Sequence, residues 1–294
     1  AGRGFQQMAD MVNNSRLSNG MRAAGLMRRA CGEALFVARH RRAFGRRLVE
    51  LPLMQRQLMK ILLPTEQARS VLFQSADALR RSDAGEAAAY PLLRILTPLI
   101  KFRACRDARR VTGDAMEVRG GCGYVEEWAD PRLVRDAHLG SIWEGTSNIV
   151  ALDVIRAVRR EGSLPALRAH WQALLRETAL APAPRRCFDD ALARAEALAA
   201  QVAEARGADD RLARQAASGL YHATSAVAMA WEATRLRSPA RMRLAQLVLR
   251  ERLLPRDPLA ADRPAPWIAG MLDPDNALDA ADAATAVDTV DLLT

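Results

Sequence analysis

The feature that most constrains the fold of this chain is the spacing of its apolar residues. Over long segments they recur every three or four positions, or at multiples of that spacing, which places them on one face of an α-helix. No stretch alternates apolar and polar residues for long enough to predict a β-strand, and aromatic residues make up only 5% of the chain. One such stripe comprises Leu93, Leu96, Ile100, Ala104, Ala108, Val111 and Ala115. The pattern predicts an all-α protein.

Glycine and proline residues divide this helical pattern into segments. We predict three long helices at residues 5–42, 53–79 and 86–119, followed by a loop over residues 120–131. A short helix then runs to residue 138, and a further helix covers residues 146–160. Pro98 is expected to interrupt the third helix near its start. Long helices joined by short links are typical of an up-down bundle, so we predict a four-helix bundle for residues 1–160.

The chain changes character after residue 160. Residues 161–272 are predicted to form an additional helical region, which proline-containing linkers divide. Residues 273–294 contain six aspartates and no Lys or Arg, which predicts an acidic and poorly ordered tail.

Basic residues cluster in one part of the additional region. Residues 235–256 contain a single acidic residue, Glu251, among seven arginines: Arg235, Arg237, Arg241, Arg243, Arg250, Arg252 and Arg256. One interpretation is a solvated helix face, and the other is a surface that contacts the phosphates of duplex DNA. The net charge of +9 fits partners that carry phosphates. It also fits a protein from a proteome that is simply rich in arginine.

Composition excludes several classes of protein. With 50% hydrophobic and 26% charged residues, the chain resembles a globular protein rather than a disordered one. No apolar run reaches the roughly 18 residues of a membrane-spanning helix, so no membrane association is expected. The four cysteines and four histidines are widely spaced, which argues against a metal site or a disulfide framework. Reduced thiols fit a cytoplasmic location.

The most informative short segment is residues 141–149. It places Glu144 at the start of a predicted helix, between Trp143 and Gly145, with Thr146 and Asn148 following. An aromatic neighbour can exclude water from a carboxylate, and a glycine lets the backbone approach a ligand closely, so Glu144 suits a general base. The alternative is an ordinary acidic helix start, because carboxylates are favourable near the positive end of the helix dipole.

Three further groups of residues suit the binding of phosphate oxygens. The predicted corner after the first helix carries Arg41 and Phe44, and polar residues including Asn13 and Arg16 interrupt that helix. A glycine cluster beginning at Gly120 follows the third helix. Guanidinium groups, exposed glycine amides and helix N-termini all bind anions well.

Taken in order, these motifs resemble the C-terminal half of the acyl-CoA dehydrogenase flavoproteins. The resemblance covers about residues 1–160 and rests on Arg-x-x-Phe-Gly, Gly-Gly-x-Gly and aromatic-Glu-Gly-Thr-Ser-Asn at the spacings of that family. It implies an FAD-dependent α,β-dehydrogenation of an acyl-CoA thioester to a trans-2-enoyl-CoA, an oxidoreductase reaction of fatty acid metabolism. Glu144 matches the catalytic base that removes the α-proton.

The resemblance also implies roles for other residues. Thr146 and Asn148 match positions that touch FAD, whereas Asn13, Arg16 and Gly145 match the substrate side. The positions that match residues reaching the FAD of a neighbouring subunit are Arg41, Phe44, Glu117, Gly120 and Gly121. The implied assembly is therefore a homo-oligomer, a dimer or a tetramer, with electron-transfer flavoprotein as an electron acceptor.

Several departures from the common family pattern are visible. Glu117 stands where the family usually has glutamine, and a pairing with Arg119 or Arg41 would neutralise it. The Pro52-Leu53-Met54 sequence, Trp143 and the long C-terminal region look more like the AidB-type branch. Members of that branch are associated with the response to DNA alkylation in the bacterial cytoplasm and have a basic surface proposed to bind duplex DNA. The alternative function is thus an AidB-like, DNA-protecting flavoprotein with incidental dehydrogenase activity.

The family also has an N-terminal helical domain and a middle β-domain, and this sequence contains neither. Those domains supply much of the flavin and acyl pocket in the family. We therefore expect the sequence to be a fragment of a longer polypeptide, or to act with a partner chain.

Overall fold

The computed structural model describes residues 2–257, 259 and 267–273, without the side chains of residues 5 and 6. Within them the chain forms eleven α-helices: α1 (Gly4–His40), α2 (Pro52–Asp83), α3 (Ala89–Arg119), α4 (Gly121–Tyr124), α5 (Asp130–Gly140), α6 (Ser147–Arg160), α7 (Ser163–Arg176), α8 (Pro182–Glu204), α9 (Ala213–Leu236), α10 (Pro239–Val248) and α11 (Trp267–Leu272). The all-α prediction is confirmed. Apart from Asp273, the predicted acidic tail lies outside the described residues.

Long-range contacts give the directions of the bundle helices. Along α1 and α3, Asn19 contacts Cys105 and Glu33 contacts Arg119, so these two helices run in parallel. α2 packs against both of them and is joined to each by a short link, so it runs in the opposite direction. Between α3 and α6, Lys101 contacts Gly145 and Arg94 contacts Asp153, so these helices are antiparallel. Helices α1, α2, α3 and α6 therefore form the predicted up-down bundle.

Two local predictions about α3 and the loop after it are wrong. α3 continues through Pro98, which is buried in the core, so packing on both sides outweighs the loss of one backbone hydrogen bond. The predicted loop over residues 120–131 contains a helical turn, α4, and α5 already begins at Asp130.

The corner between α1 and α2 is a short β-hairpin. Its strands are β1 (Arg42–Ala43) and β2 (Arg46–Arg47), which pair antiparallel across a turn made by Phe44 and Gly45. Both turn residues have positive φ, 53° and 76°, as tight hairpin turns require. Glycine adopts this conformation freely, whereas a phenylalanine there is strained and projects its ring outward. Strands of two residues are too short to be recognised by alternation.

The additional helices share one continuous apolar core with the bundle. α9 lies against α2, α3 and α6. Buried polar contacts accompany this packing: the Gln67 side chain lies 2.9 Å from His222 Nδ1 and donates to Ser225 Oγ at 2.8 Å. α7 is attached to α9 in the same way, because Trp171 Nε1 donates to Thr224 Oγ1 at 3.1 Å.

The arginine-rich segment 235–256 is not a uniformly solvated face. Arg241, near the start of α10, is only 6% exposed and donates to Glu66 and Ser70 of α2 and to Glu232 of α9. Arg235 pairs with Glu177 at 2.7 Å, and Arg250 pairs with Glu251 at 3.2 Å. For Arg241 the prediction of an exposed side chain is wrong, because two carboxylates draw its guanidinium into the core.

Two kinds of feature are not found in the described part of the chain. None of its helices combines the length and apolarity needed to cross a bilayer. Nor do His, Cys, Asp and Glu side chains in residues 2–257, 259 and 267–273 converge in a group of three or more that could hold a metal ion.

Candidate functional site

The turn between α5 and α6 has an unusual backbone conformation. Glu144 and Gly145 both have positive φ, 58° and 105°. A non-glycine residue adopts the left-handed region only where the surrounding structure imposes it, and such residues concentrate at functional sites. Gly145 is confined as well, since a Cβ atom there would lie 3.3 Å from side-chain atoms of Ile149 and Val150.

Neutral hydrogen-bond donors surround the Glu144 carboxylate. Oε1 accepts from Trp143 Nε1 at 2.8 Å and from the Ser15 hydroxyl, and Oε2 accepts from Asn19 Nδ2 at 3.1 Å. Three donors on the two oxygens are what an ionised carboxylate can satisfy as a pure acceptor. Ser15 and Asn19 lie on α1, so the carboxylate is turned toward that helix.

The Arg16 side chain supports the same turn through a hydrogen bond to the turn's backbone. Its Nε donates to the Glu144 carbonyl oxygen at 3.1 Å, and its Nη1 pairs with Asp153 of α6 at 2.7 Å. Asp153 also pairs with Arg94 at 2.8 Å. The Oδ1 atom of Asn13 lies 3.5 Å from Arg16 Nη1. The structure thus brings Asn13, Arg16, Glu144 and Gly145 together, although their roles toward a substrate stay predictions.

Lys101 belongs to this site and was missed by the sequence analysis. Its Nζ donates to the Gly145 carbonyl oxygen, and its side chain is only 1% exposed. Burial lowers the pKa of the Lys101 ammonium and raises the pKa of the neighbouring Cys105 thiol to about 11. A sequence indication did exist: Lys101 is one of only two lysines in the chain and stands within the otherwise apolar segment 98–102 of α3.

A second group of predicted residues lies at the other end of α3. Arg41 Nη1 donates to the Arg119 carbonyl oxygen at 2.8 Å, beside Gly120, whose φ is 72°. A Cβ atom at Gly120 would lie 3.3 Å from Arg41 Nη1, while one at Gly121 would meet no atom within 4 Å. Phe44, at the hairpin tip, is 93% exposed. An open glycine backbone, a guanidinium and an exposed ring thus share this end of the bundle.

The predicted neutralisation of Glu117 by Arg119 or Arg41 is wrong for the described residues, since neither guanidinium pairs with it and Arg41 donates to the Arg119 carbonyl oxygen. Arg119 instead pairs with Glu33 and with Asp130, each at 2.7 Å, and stacks over the Trp128 ring at 4.6 Å. The Arg119 guanidinium is nearly buried, and these two carboxylates beside the C-terminal end of α3 already satisfy it. Glu117 is exposed.

The residues present fit the binding of a flavin nucleotide. Thr146 is the N-cap of α6, yet its hydroxyl makes no capping hydrogen bond, and both Thr146 and Asn148 are exposed. The first amides of α6 and these two polar side chains are therefore available to a ligand. At the opposite end, Arg41 and the open backbone at Gly121 offer the donors that a diphosphate requires.

Exposed apolar side chains lie on the Glu144 turn and directly after it. Ile142, Trp143 and Ile149 are 52–64% exposed on the turn and on the first helical turn of α6. Clustered exposed apolar residues of this kind mark a surface that contacts a ligand or another domain. An apolar chain lying there would keep water away from the carboxylate.

Comparison with known proteins identifies the family. The family model described as acyl-CoA dehydrogenase, C-terminal domain, matches residues 2–159, more than half of the chain. The chain belongs to the acyl-CoA dehydrogenase family. Both groups of candidate site residues lie within the matched range, so the acyl-CoA dehydrogenase resemblance predicted from the motifs is confirmed.

Individual relatives agree with this assignment. Putative acyl-CoA dehydrogenase AidB of Escherichia coli (strain K12) is 37% identical over 164 residues, which cover 55% of this chain and 30% of AidB. The structure of Caenorhabditis elegans ACDH-11 in complex with C11-CoA matches with a TM-score of 0.80 and 27% identity, covering 86% of this chain and 45% of that one. The structure of an acyl-CoA dehydrogenase from Bacillus anthracis complexed with FAD shares the fold, with a TM-score of 0.71 and 20% identity over 85% and 48%.

Two conclusions follow from these relatives. The likeness to ACDH-11 covers more of the chain than the family model does, so it includes helices of the additional region. The chain also spans less than half the length of each of these three proteins. The family is one of flavoprotein oxidoreductases, while the activity of the whole protein, its substrate and its partners are matters of proposal.

The backbone of the turn provides a first prediction. Replacing Gly145 by Ala should lower the free energy of unfolding by about 2–3 kcal/mol, because the new Cβ meets two side chains and φ is positive. Gly162→Ala is a matched control: φ there is 62° and no atom lies within 4 Å, so only about 1 kcal/mol is expected. Urea denaturation of both variants measures the difference. Equal costs would mean that the Gly145 turn is not sterically confined.

Proposed function

We propose that this chain is the C-terminal part of an FAD-dependent acyl-CoA dehydrogenase that converts an acyl-CoA thioester to the trans-2-enoyl-CoA. Glu144 is the base that removes the α-proton in this proposal. The observation that carries it is the position of Glu144. It lies in a left-handed turn that carries exposed apolar side chains, and its carboxylate accepts hydrogen bonds from three neutral donors.

The surroundings of Glu144 suit proton removal. Ser15, Asn19 and Trp143 stabilise the ionised carboxylate before the reaction, and none of them neutralises its charge. An acyl chain over Ile142 and Ile149 would keep water away from this turn while the α-proton is transferred. The hydride acceptor for the β-carbon would be supplied by FAD when it is bound. The protein's part is then to hold the α-carbon within reach of Glu144.

Two separate groups of residues would hold FAD. Thr146 and Asn148 lie at the N-terminus of α6, directly after the Glu144 turn, and would contact the flavin. Arg41, Phe44 and Gly120 lie at the other end of α3, where they would reach the FAD of a neighbouring subunit. This division supports a homo-oligomer, a dimer or a tetramer, in which each FAD lies between two chains.

An acyl-CoA is the substrate class that we propose. The ACDH-11 structure contains C11-CoA, and the fold of this chain follows it over 86% of its length. On the substrate side we place Asn13, Arg16 and Gly145. Electron-transfer flavoprotein is the proposed electron acceptor, and the N-terminal helical and middle β-domains of the family would complete the acyl pocket.

Anaerobic mixing of the whole FAD-loaded protein with acyl-CoA thioesters of increasing chain length tests the proposal. The visible absorbance of the flavin should bleach with at least one thioester, because the flavin is reduced as the enoyl-CoA forms. An alkyl-CoA thioether, which lacks the carbonyl that acidifies the α-proton, should bind without bleaching. A protein that retains FAD and yet is bleached by no thioester would contradict the proposal.

A further inference from the structure

The two carbonyl oxygens of the Glu144–Gly145 turn each accept a hydrogen bond from a cationic side chain of a different helix. Arg16 of α1 donates its Nε–H to the Glu144 carbonyl oxygen at 3.1 Å. Lys101 of α3 donates from Nζ to the Gly145 carbonyl oxygen. Backbone carbonyls in such a turn have no helical partner, so these side chains replace the missing intrahelical bonds.

Arg16 and Lys101 reach the turn in different ways. Arg16 is itself paired with Asp153, which Arg94 also contacts, so it belongs to a largely buried ion-pair network that joins α1, α3 and α6. Lys101 lies in the interior between Ile100 and Phe102, and it is almost completely buried. Burying an ammonium is unfavourable unless an acceptor receives it, and the Gly145 carbonyl oxygen is that acceptor.

Lysine suits this position better than arginine does. Forty-one of the 43 basic residues are arginines, so the chain generally uses guanidinium groups where it needs a cation. A guanidinium carries five N–H donors in a planar fork and would need more acceptors than one carbonyl oxygen provides. The compact ammonium at the end of a long apolar stem can follow the core of α3 and end on a single oxygen.

We infer that Lys101 is a positioning residue, which acts by holding the left-handed turn through the Gly145 carbonyl oxygen and so directs the Glu144 carboxylate. The inference rests on the proposed function only in naming Glu144 as the base. The part that does not depend on the function is that the turn loses its conformation without the Lys101 donor. Arg16 alone fixes the preceding carbonyl and leaves the peptide between Gly145 and Thr146 free to rotate.

Hydrogen exchange followed by mass spectrometry tests, on this chain, whether Lys101 holds the turn. Lys101→Met keeps the length of the apolar stem and removes the donor. We expect amide exchange in peptides covering residues 142–150 to become at least about tenfold faster, since the Val150 amide donates to the Thr146 carbonyl directly after the turn. Exchange in α7 and α8 should not change.

A matched control separates positioning from general loosening of the helix. Val111→Ala removes buried apolar volume from α3 ten residues beyond Lys101 and should not speed exchange at the turn. Lys101→Arg keeps a donor in a group that suits the site less well, so exchange at the turn should become faster by less than the roughly tenfold expected for Lys101→Met. The inference is overturned if Lys101→Met leaves the turn protected, or if Val111→Ala exposes it equally. Should Lys101→Met not fold, an unprotected turn in a folded Lys101→Arg protein overturns it, and a protected one supports it.

A kinetic measurement on the whole FAD-loaded protein provides the second readout. Lys101→Met should lower kcat at least about tenfold and change KM for the acyl-CoA less than threefold, because the substrate surface stays intact while the base is misdirected. If the unaltered protein oxidises no acyl-CoA, the proposed function fails, and the exchange experiment still decides the role of Lys101. A variant with unchanged kcat and a mobile turn would show that the turn does not direct the base, which overturns the inference.

Discussion

Replacing Glu144 by Gln should slow flavin reduction by acyl-CoA about a thousandfold, within the range that a single general base contributes. The amide keeps the size of the side chain but cannot accept the α-proton. One of the carboxylate oxygens also becomes an NH2 group that faces a donor, so the present hydrogen bond from either Trp143 or Asn19 is lost. Anaerobic stopped-flow absorbance of the whole FAD-loaded protein measures the rate.

The design of the experiment separates loss of the base from loss of the site. FAD content and acyl-CoA binding should be retained in Glu144→Gln, because Thr146 and Asn148 are unchanged. Glu204→Gln is the matched control: the same chemical change on an exposed side chain of α8 should leave the rate unaltered. Bleaching at the original rate in Glu144→Gln would remove Glu144 as the base.

The bundle was predictable from the sequence because its helices are long and their apolar stripes regular. The third stripe, from Leu93 to Ala115, lies in α3, and its period of about 3.6 residues survives even the proline at position 98. The hairpin at Phe44 was not predictable in this way, since two-residue strands have no period. Its Phe-Gly motif indicated a corner and nothing about the strands that flank it.

The candidate site was only partly predictable. Motif order identified Glu144, and Arg16 was found because polar residues interrupt an otherwise packable helix. Ser15, Asn19 and Lys101 contact the same turn from positions 44 to 129 residues away in the chain. Contacts of that kind depend on how α1 and α3 pack together, which a local pattern does not contain. A buried lysine also looks the same in sequence as a lysine at the edge of an apolar face.

The charge of residues 235–256 shows a second limit of the sequence. Seven arginines against one acidic residue predict a basic surface only if their partners are nearby in the chain. The partners of Arg241 and Arg235 are Glu66, Glu232 and Glu177, and Glu66 and Glu177 lie well outside the segment. Much of the apparent excess charge is therefore paired in the fold. The predicted contact of this segment with DNA finds no support in the structure, and Arg241 in particular is inaccessible to a phosphate.

Arg241 instead has a structural role that predicts a large effect on stability. Replacing it by Met should lower the free energy of unfolding by about 3–5 kcal/mol, because Glu66 and Glu232 are left largely buried without this cation. Arg69 remains 2.8 Å from Glu66, so Glu232 is the carboxylate that is left less compensated. Equilibrium denaturation in urea, with the transition followed by circular dichroism, measures the change.

Two further variants identify the cause of that loss. Arg235→Met removes a cation from the same segment, but its ion pair with Glu177 is exposed, so a far smaller change is expected. Adding Glu232→Gln to Arg241→Met should recover part of the stability, because the double variant no longer contains the uncompensated carboxylate. If Arg241→Met lowers the free energy of unfolding no more than Arg235→Met does, the buried Arg241 guanidinium does not hold the additional helices to the bundle. If the double variant is less stable than Arg241→Met alone, the loss comes from the hydrogen bonds of Glu232 rather than from its unpaired charge.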